Sequence, residues 1–260
     1  MHPVLVHFGH LTLPTFGVLA ALGLLFGLLL SERTARLAAL NPEQLWDAGL
    51  FAMLAAFVLS RALLVVGHWR TFVAFPVLLL AVPSLTAPGL LLTGIATLVW
   101  FWWRGIDLRR AMEAWAPCGL LVWGFLALGH FAEGSDPGMT TDLRFGVRTP
   151  GMAGATHPVG LYVCLVAWGL AILAFRRVGR GDAAATALIG AGAAQFLISF
   201  VRQPGLETVL GLDALEWVAV GMMLAGGVLG VSARCGGASS DVPDTGNGAP
   251  SSVPGDQGFQ

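Results

Sequence analysis

The chain has no lysine, a single tyrosine (Tyr162) and few charges of any kind. All 14 of its basic residues are arginine, and only 11% of positions are charged. A soluble globular domain carries about 25% charged residues. That shortage excludes an ordinary water-covered surface. With 56% apolar residues and a mean hydropathy of +0.76, the bilayer must act as solvent. A formal net charge of −1 gives no footprint for a nucleic-acid partner, and none is expected. Cysteines number three, Cys118, Cys164 and Cys235, with no CxxC spacing. This leaves a disulfide framework unsupported, and Cys118 and Cys164 read as small core hydrophobes. The first thirteen residues lack Arg and Lys, and no small-residue cleavage site follows, which argues against a secretory signal and for a retained first helix.

What is present is a series of apolar runs. A span needs about 20 predominantly apolar residues. Seven candidates are Leu13–Leu30, Ala48–Gly67, Leu85–Trp103, Ala111–Gly129, Pro158–Phe175, Ala183–Phe200 and Ala214–Val231. The fold class expected is therefore all-α, a polytopic membrane protein of about seven transmembrane helices. Thr71–Val82, with Pro76 inside it, is too short to cross and reads as re-entrant or interfacial. Trp100, Trp102 and Trp103 read as an interfacial aromatic belt. Gly119, Gly190 and Gly192 are expected to permit close helix packing.

Arginine placement orients the bundle. Odd-numbered connections and the tail hold Arg33, Arg36, Arg104, Arg109, Arg110, Arg176, Arg177, Arg180 and Arg234; even-numbered ones hold Arg70, Arg144, Arg148 and Arg202. The excess of positive charge marks the cytoplasmic side, so the N-terminus is expected outside and the C-terminus in the cytoplasm. All six histidines then face outward, as does the long connection His130–His157. The cytoplasmic links are short and basic, which suits topology signals. Residues 1–233 are expected to form one transmembrane domain. Residues 234–260, rich in Gly, Ser, Pro and Asp from Gly236 onward, are expected to form a disordered cytoplasmic tail.

The candidate chemistry lies on the outer side. Arg61 is a charge near the outer end of a span, where an arginine at the centre would cost about 2.5–3.5 kcal/mol to insert. Two readings stand: a clamp for a lipid phosphate, or an arginine snorkelling to the interface. Arg202 admits the same two readings. His130 and Glu133, in GHFAEG, share one face if the helix continues, and an imidazole beside a carboxylate can take a proton from a thiol or hydroxyl. The plainer reading is a polar helix end meeting water. His157 precedes Pro158 at a helix start, and Tyr162 lies one turn in, where it either binds a headgroup or belongs to the aromatic belt. Two histidines and a carboxylate are enough for a catalytic zinc, yet the spacing is not diagnostic and HExxH is absent. No metal or cofactor is expected.

Taken in order, these segments resemble a known family over residues 1–231. MHPVLVHFGHLTLPTFGVLAALG, SRALLVVGHW, GHFAEGSDPG, HPVGLY and QFLISFVRQPG are similar to successive motifs of the bacterial prolipoprotein diacylglyceryl transferases. The resemblance implies transfer of a diacylglyceryl group from phosphatidylglycerol, or another anionic phospholipid, to the cysteine thiol of a lipoprotein precursor. It implies a multi-pass protein of the bacterial inner membrane. Matching positions are Arg61, Gly129, Phe131, Gly134, His157, Pro158, Leu161, Tyr162, Phe196, Arg202 and Pro204. Departures are Phe16 for the family's tyrosine, Ala87 for the histidine of its HGG motif, Ala127 for an arginine, His130 and Glu133 for two asparagines, and Gln195 and Ser199 for an arginine and a glutamate.

That chemistry needs a base for the thiol and a cationic clamp for the departing phosphate. Placement at the outer end, rather than the resemblance, offers His130 and Glu133 for catalysis alongside the matching His157, and the substrate-binding candidates are Arg61, Arg202, Tyr162, Gly134 and the replaced position Phe16. The transferase reading expects Arg61, His130, Glu133 and Arg202 to share one outward-open cavity. The alternative is an inactive relative that binds phospholipid or a lipoprotein partner.

Overall fold

A computed structural model describes residues 4–8, 11–75, 86–148, 154–203, 208–209 and 212–238. Strands β1 (Val4–Phe8) and β2 (Leu11–Pro14) pair antiparallel and lead into helix α1 (Thr15–Leu37). Then follow α2 (Pro42–Gly67), α3 (Trp69–Ala74), α4 (Ala87–Arg104), α5 (Leu108–Glu133), α6 (Val159–Phe175), α7 (Ala183–Ser199) and α8 (Ala214–Ala238). Two further antiparallel pairings are β3 (Val147–Arg148) with β4 (Ala155–Thr156) and β5 (Thr208–Val209) with β6 (Leu212–Asp213).

Each apolar run of the sequence falls mainly on a helix, although Leu13 and Pro14 of the first belong to strand β2 rather than to α1, and Leu85 of the third lies outside the described residues. Thr15–Leu37, Pro42–Gly67, Leu108–Glu133 and the Ala214–Ala233 part of α8 are long and apolar enough to cross a membrane; α6 and α7 are shorter apolar helices. At 17 residues each, these two measure roughly 25 Å, slightly less than a typical hydrocarbon core. Large apolar side chains such as Leu91, Leu165, Leu197 and Leu224 lie exposed on the helix surfaces. These are the features of a polytopic membrane protein.

Local sequence explains the ends. Asn41 caps α2, its side chain accepting from the Glu43 N–H at 2.9 Å, with Pro42 in the first turn. Asp107 caps α5 by accepting from the Arg109 and Arg110 N–H groups at 2.9 and 3.2 Å. Gly105 (φ 64°) closes α4 and Gly134 (φ 73°) closes α5, both in the left-handed region that glycine enters without strain. Capping by Asn41 and Asp107 explains why α2 and α5 begin ahead of their apolar runs. α1 continues past Leu30 to Leu37, and α2 and α5 begin at Pro42 and Leu108, before Ala48 and Ala111. α8 reaches Ala238, so the first residues expected in the tail are helical; residues 239–260 lie outside those described. Of the expected interfacial segment, Thr71–Ala74 belongs to α3, and residues 76–82 also lie outside.

α1 packs on α5, α5 on α6, α7 on α8, and α2 on α4. The core is mostly alanine: Ala111, Ala114, Ala171, Ala174, Ala183, Ala187 and Ala191 are buried. Such small residues let helix backbones approach. Gly192 fits this account, since a Cβ there would lie 2.6 Å from the Ala219 carbonyl oxygen. Gly190 would meet the Leu170 side chain at 2.6 Å. Gly119 does not fit: a Cβ there meets nothing within 4 Å, because the residue lines a small apolar cavity between α1, α2 and α5. Cys118 and Cys164 are buried, as a core reading requires.

One buried acid ties α5 to α7. Glu113 is 6% exposed, and its two carboxylate oxygens accept from the Ala183 and Ala184 N–H groups at 2.9 and 3.0 Å. Asp182 precedes α7 but makes no side-chain cap; it pairs with Arg177 at 2.9 Å instead. A carboxylate from a neighbouring helix therefore satisfies the first donors of α7, where negative charge also suits the helix dipole.

Candidate functional site

The α5–α6 connection is ordered by main-chain pairing. Gly138 forms an antiparallel bridge with Arg202, and Thr140 one with Thr156. The Met139 N–H donates to the Val201 carbonyl at 2.9 Å, and the His157 N–H to the Met139 carbonyl at 3.0 Å. Gly138 is needed there, since a Cβ would stand 2.6 Å from the His157 carbonyl oxygen. The C-terminal end of α5, the start of α6 and the end of α7 are thereby joined.

Beneath this junction lies a cavity of about 660 Å³ between α5, α6, α7 and α8. Trp123, Leu126, Val163, Leu215, Val218 and Met222 form its apolar body. His130, Ser135, Asp136, Gln195 and Arg202 supply its polar groups. The arrangement suits an amphiphile, with apolar chains along the helices and a polar head among the side chains at the junction.

His130 sits in the last turn of α5. Its ring lies 4.7 Å from the Phe16 ring of α1, and its Nδ1 is 2.9 Å from Ser135 Oγ. Gly129 lets Phe16 approach; a Cβ there would stand 2.8 Å from Phe16 Cδ2. Gly134 turns the chain out of α5 so that Ser135 folds back on His130. Arg202 follows α7, and its Nη2 donates to Asp136 Oδ2 at 2.5 Å, with side-chain exposures of 19% and 24%.

The structure thus brings His130 and Arg202 into one cavity, with Phe16 and Gly134 shaping the His130 surroundings. His157 and Tyr162 form a separate pair, Nδ1 to hydroxyl at 3.4 Å, joined to the cavity edge through the backbone at Met139. Glu133, one turn beyond His130, is not part of the lining. Neither is Arg61, whose guanidinium stands 5.8 Å from the Phe72 ring of α3. The expected convergence of four groups is met by two. Sequence reading named Gln195 only as a replaced position and missed Ser135 and the pairing of Asp136 with Arg202. A polar Gln195 within the apolar stretch 187–198 of α7 was the signal available for that residue.

Residues 3–232 match the prolipoprotein diacylglyceryl transferase family. Among individual relatives, the phosphatidylglycerol–prolipoprotein diacylglyceryl transferase of Parasynechococcus marenigrum is 30% identical over 151 residues, 57% of this chain and 54% of that protein. The protein of the same name from Methylobacillus flagellatus is 31% identical over 149 residues, 53% of this chain and 56% of its own length. The match thus spans about half the length of these first relatives. That from Photobacterium profundum is 26% identical over 242 residues, 86% of this chain and 87% of its own. A family match over nearly the whole chain, a range that includes every residue named in the cavity, shows that the chain belongs to the prolipoprotein diacylglyceryl transferase family.

Proposed function

We propose that this protein transfers a diacylglyceryl group from phosphatidylglycerol to the cysteine thiol of a lipoprotein precursor, within the bacterial inner membrane. The observation that carries this reading is the family match over residues 3–232. The cavity adds chemical support, because it joins an apolar body to a head region containing an imidazole and a guanidinium. In this reading the protein spans the bilayer seven times, through α1, α2 and α4 to α8, with its N-terminus outside. Residues 1–233 are the membrane domain and residues 234–260 a cytoplasmic tail.

In the reaction the thiol sulfur forms a bond to the glyceryl carbon while that carbon's bond to the phosphate oxygen breaks. The thiol proton needs an acceptor, and glycerol phosphate leaves with negative charge. His130 is the base; with Nδ1 engaged by Ser135, Nε2 is left to take the proton. Arg202 is the clamp for the departing phosphate. Phe16 and Gly134 hold His130 in place. Glu133, His157 and Tyr162 serve the adjoining surface where the precursor approaches, and Arg61 offers a second phosphate contact outside the cavity.

The test is transfer from labelled phosphatidylglycerol to a precursor peptide bearing the acceptor cysteine, in membranes containing the full chain. Product is expected in step with protein; turnover no higher than in membranes without it rejects the proposal.

A further inference from the structure

The Arg202 guanidinium is unevenly occupied. Its Nη2 is held by Asp136, while its Nε is buried without a hydrogen-bond partner among the described residues. A guanidinium presents its donors as a rigid fork that suits two oxygens of one anion. Here a single carboxylate oxygen contacts one prong. The two chain segments are fixed against each other by the Gly138–Arg202 bridge and the Met139–Val201 hydrogen bond. The pair therefore does not depend on two long side chains finding one another. Both partners line the cavity beside His130.

We propose that Asp136 determines headgroup specificity as the resident counter-anion of Arg202. A phosphate that enters takes Nη2 from the Asp136 carboxylate and engages the idle Nε with a second oxygen. The inference rests on the phospholipid reading above and deepens it. The tethered carboxylate competes with the phosphate of either headgroup; once displaced it repels a net-anionic lipid and attracts the ammonium of a zwitterionic one. Native affinity for an anionic lipid is thus held down relative to a zwitterionic one, and removing the charge releases that restraint.

The full chain, purified in detergent, is titrated with phosphatidylglycerol and with phosphatidylethanolamine, and the ratio of the two affinities is read. Asp136→Asn is expected to raise the preference for phosphatidylglycerol about tenfold, equivalent to about 1.4 kcal/mol. In an Arg202→Gln background the same change is expected to move the ratio little. A folded Asp136→Asn variant whose ratio is unchanged or lowered overturns the proposal. Should that variant not fold, Asp136→Ser is measured in its place. Failure of both to fold also overturns it, because the carboxylate would then be holding the structure together. Binding of neither lipid by wild type sinks the phospholipid reading, and this inference with it. Binding with an unmoved ratio sinks only the role of Asp136.

Discussion

Replacing Glu113 by alanine removes the only acceptors found for the first two N–H groups of α7 among the described residues, at Ala183 and Ala184, which are 0% and 6% exposed. Each buried donor left unsatisfied costs about 1–3 kcal/mol. Loss of a negative charge from a helix N-terminus adds about 0.3–1 kcal/mol. Partial relaxation leaves a total of about 3 kcal/mol. For a chain of this size a kilocalorie shifts the melting midpoint by about 2–4 °C, so Glu113→Ala is expected to melt roughly 6–12 °C below wild type. Glu113→Gln keeps one acceptor oxygen and is expected to lose about half as much. The nine tryptophans allow the transition to be followed by intrinsic fluorescence in detergent. A Glu113→Ala protein that melts within about 2 °C of wild type would falsify the cross-helix cap.

Other outcomes follow from the cavity. His130→Ala is expected to lower diacylglyceryl transfer by about 10²-fold or more with little change in melting temperature, and a loss below about tenfold argues against a general base there. Gly160→Ala places a Cβ 2.6 Å from the Ala127 carbonyl oxygen and 2.8 Å from Phe131 Cβ, so it should separate α5 from α6 and cost about 1–3 kcal/mol. A thermal melt checks it, and unchanged stability would mean that the two helices separate freely.

The long helices were legible in the sequence because each rests on a run of apolar residues, a signal wholly local to the chain, whereas the short α3 rests on none. Their ends were less so, since caps such as Asn41 and Asp107 extend a helix into polar sequence where hydropathy falls. His130 and Arg202 were legible as charged or titratable groups at the ends of apolar runs. The Asp136–Arg202 pair was not, because 66 residues separate the partners and the bridge at Gly138 that aligns them has no local pattern. Gly119 looked like a packing glycine and faces open space, because composition does not report which side of a helix meets a neighbour. Glu113 was readable in principle. A carboxylate at the edge of an apolar run calls for a partner, though only the fold shows that α7 provides it.

The main-chain stitching at Gly138, Met139 and His157 bears on how such a protein drifts over time. Amide and carbonyl groups are common to nearly every amino acid, so exchanging the side chains around them leaves the seam intact. Substitutions at Ala127, Gln195 or His130 would leave these main-chain hydrogen bonds in place and the three helix ends still laced. Reactivity at this end of the molecule can therefore change with its side chains while the backbone seam beneath them holds.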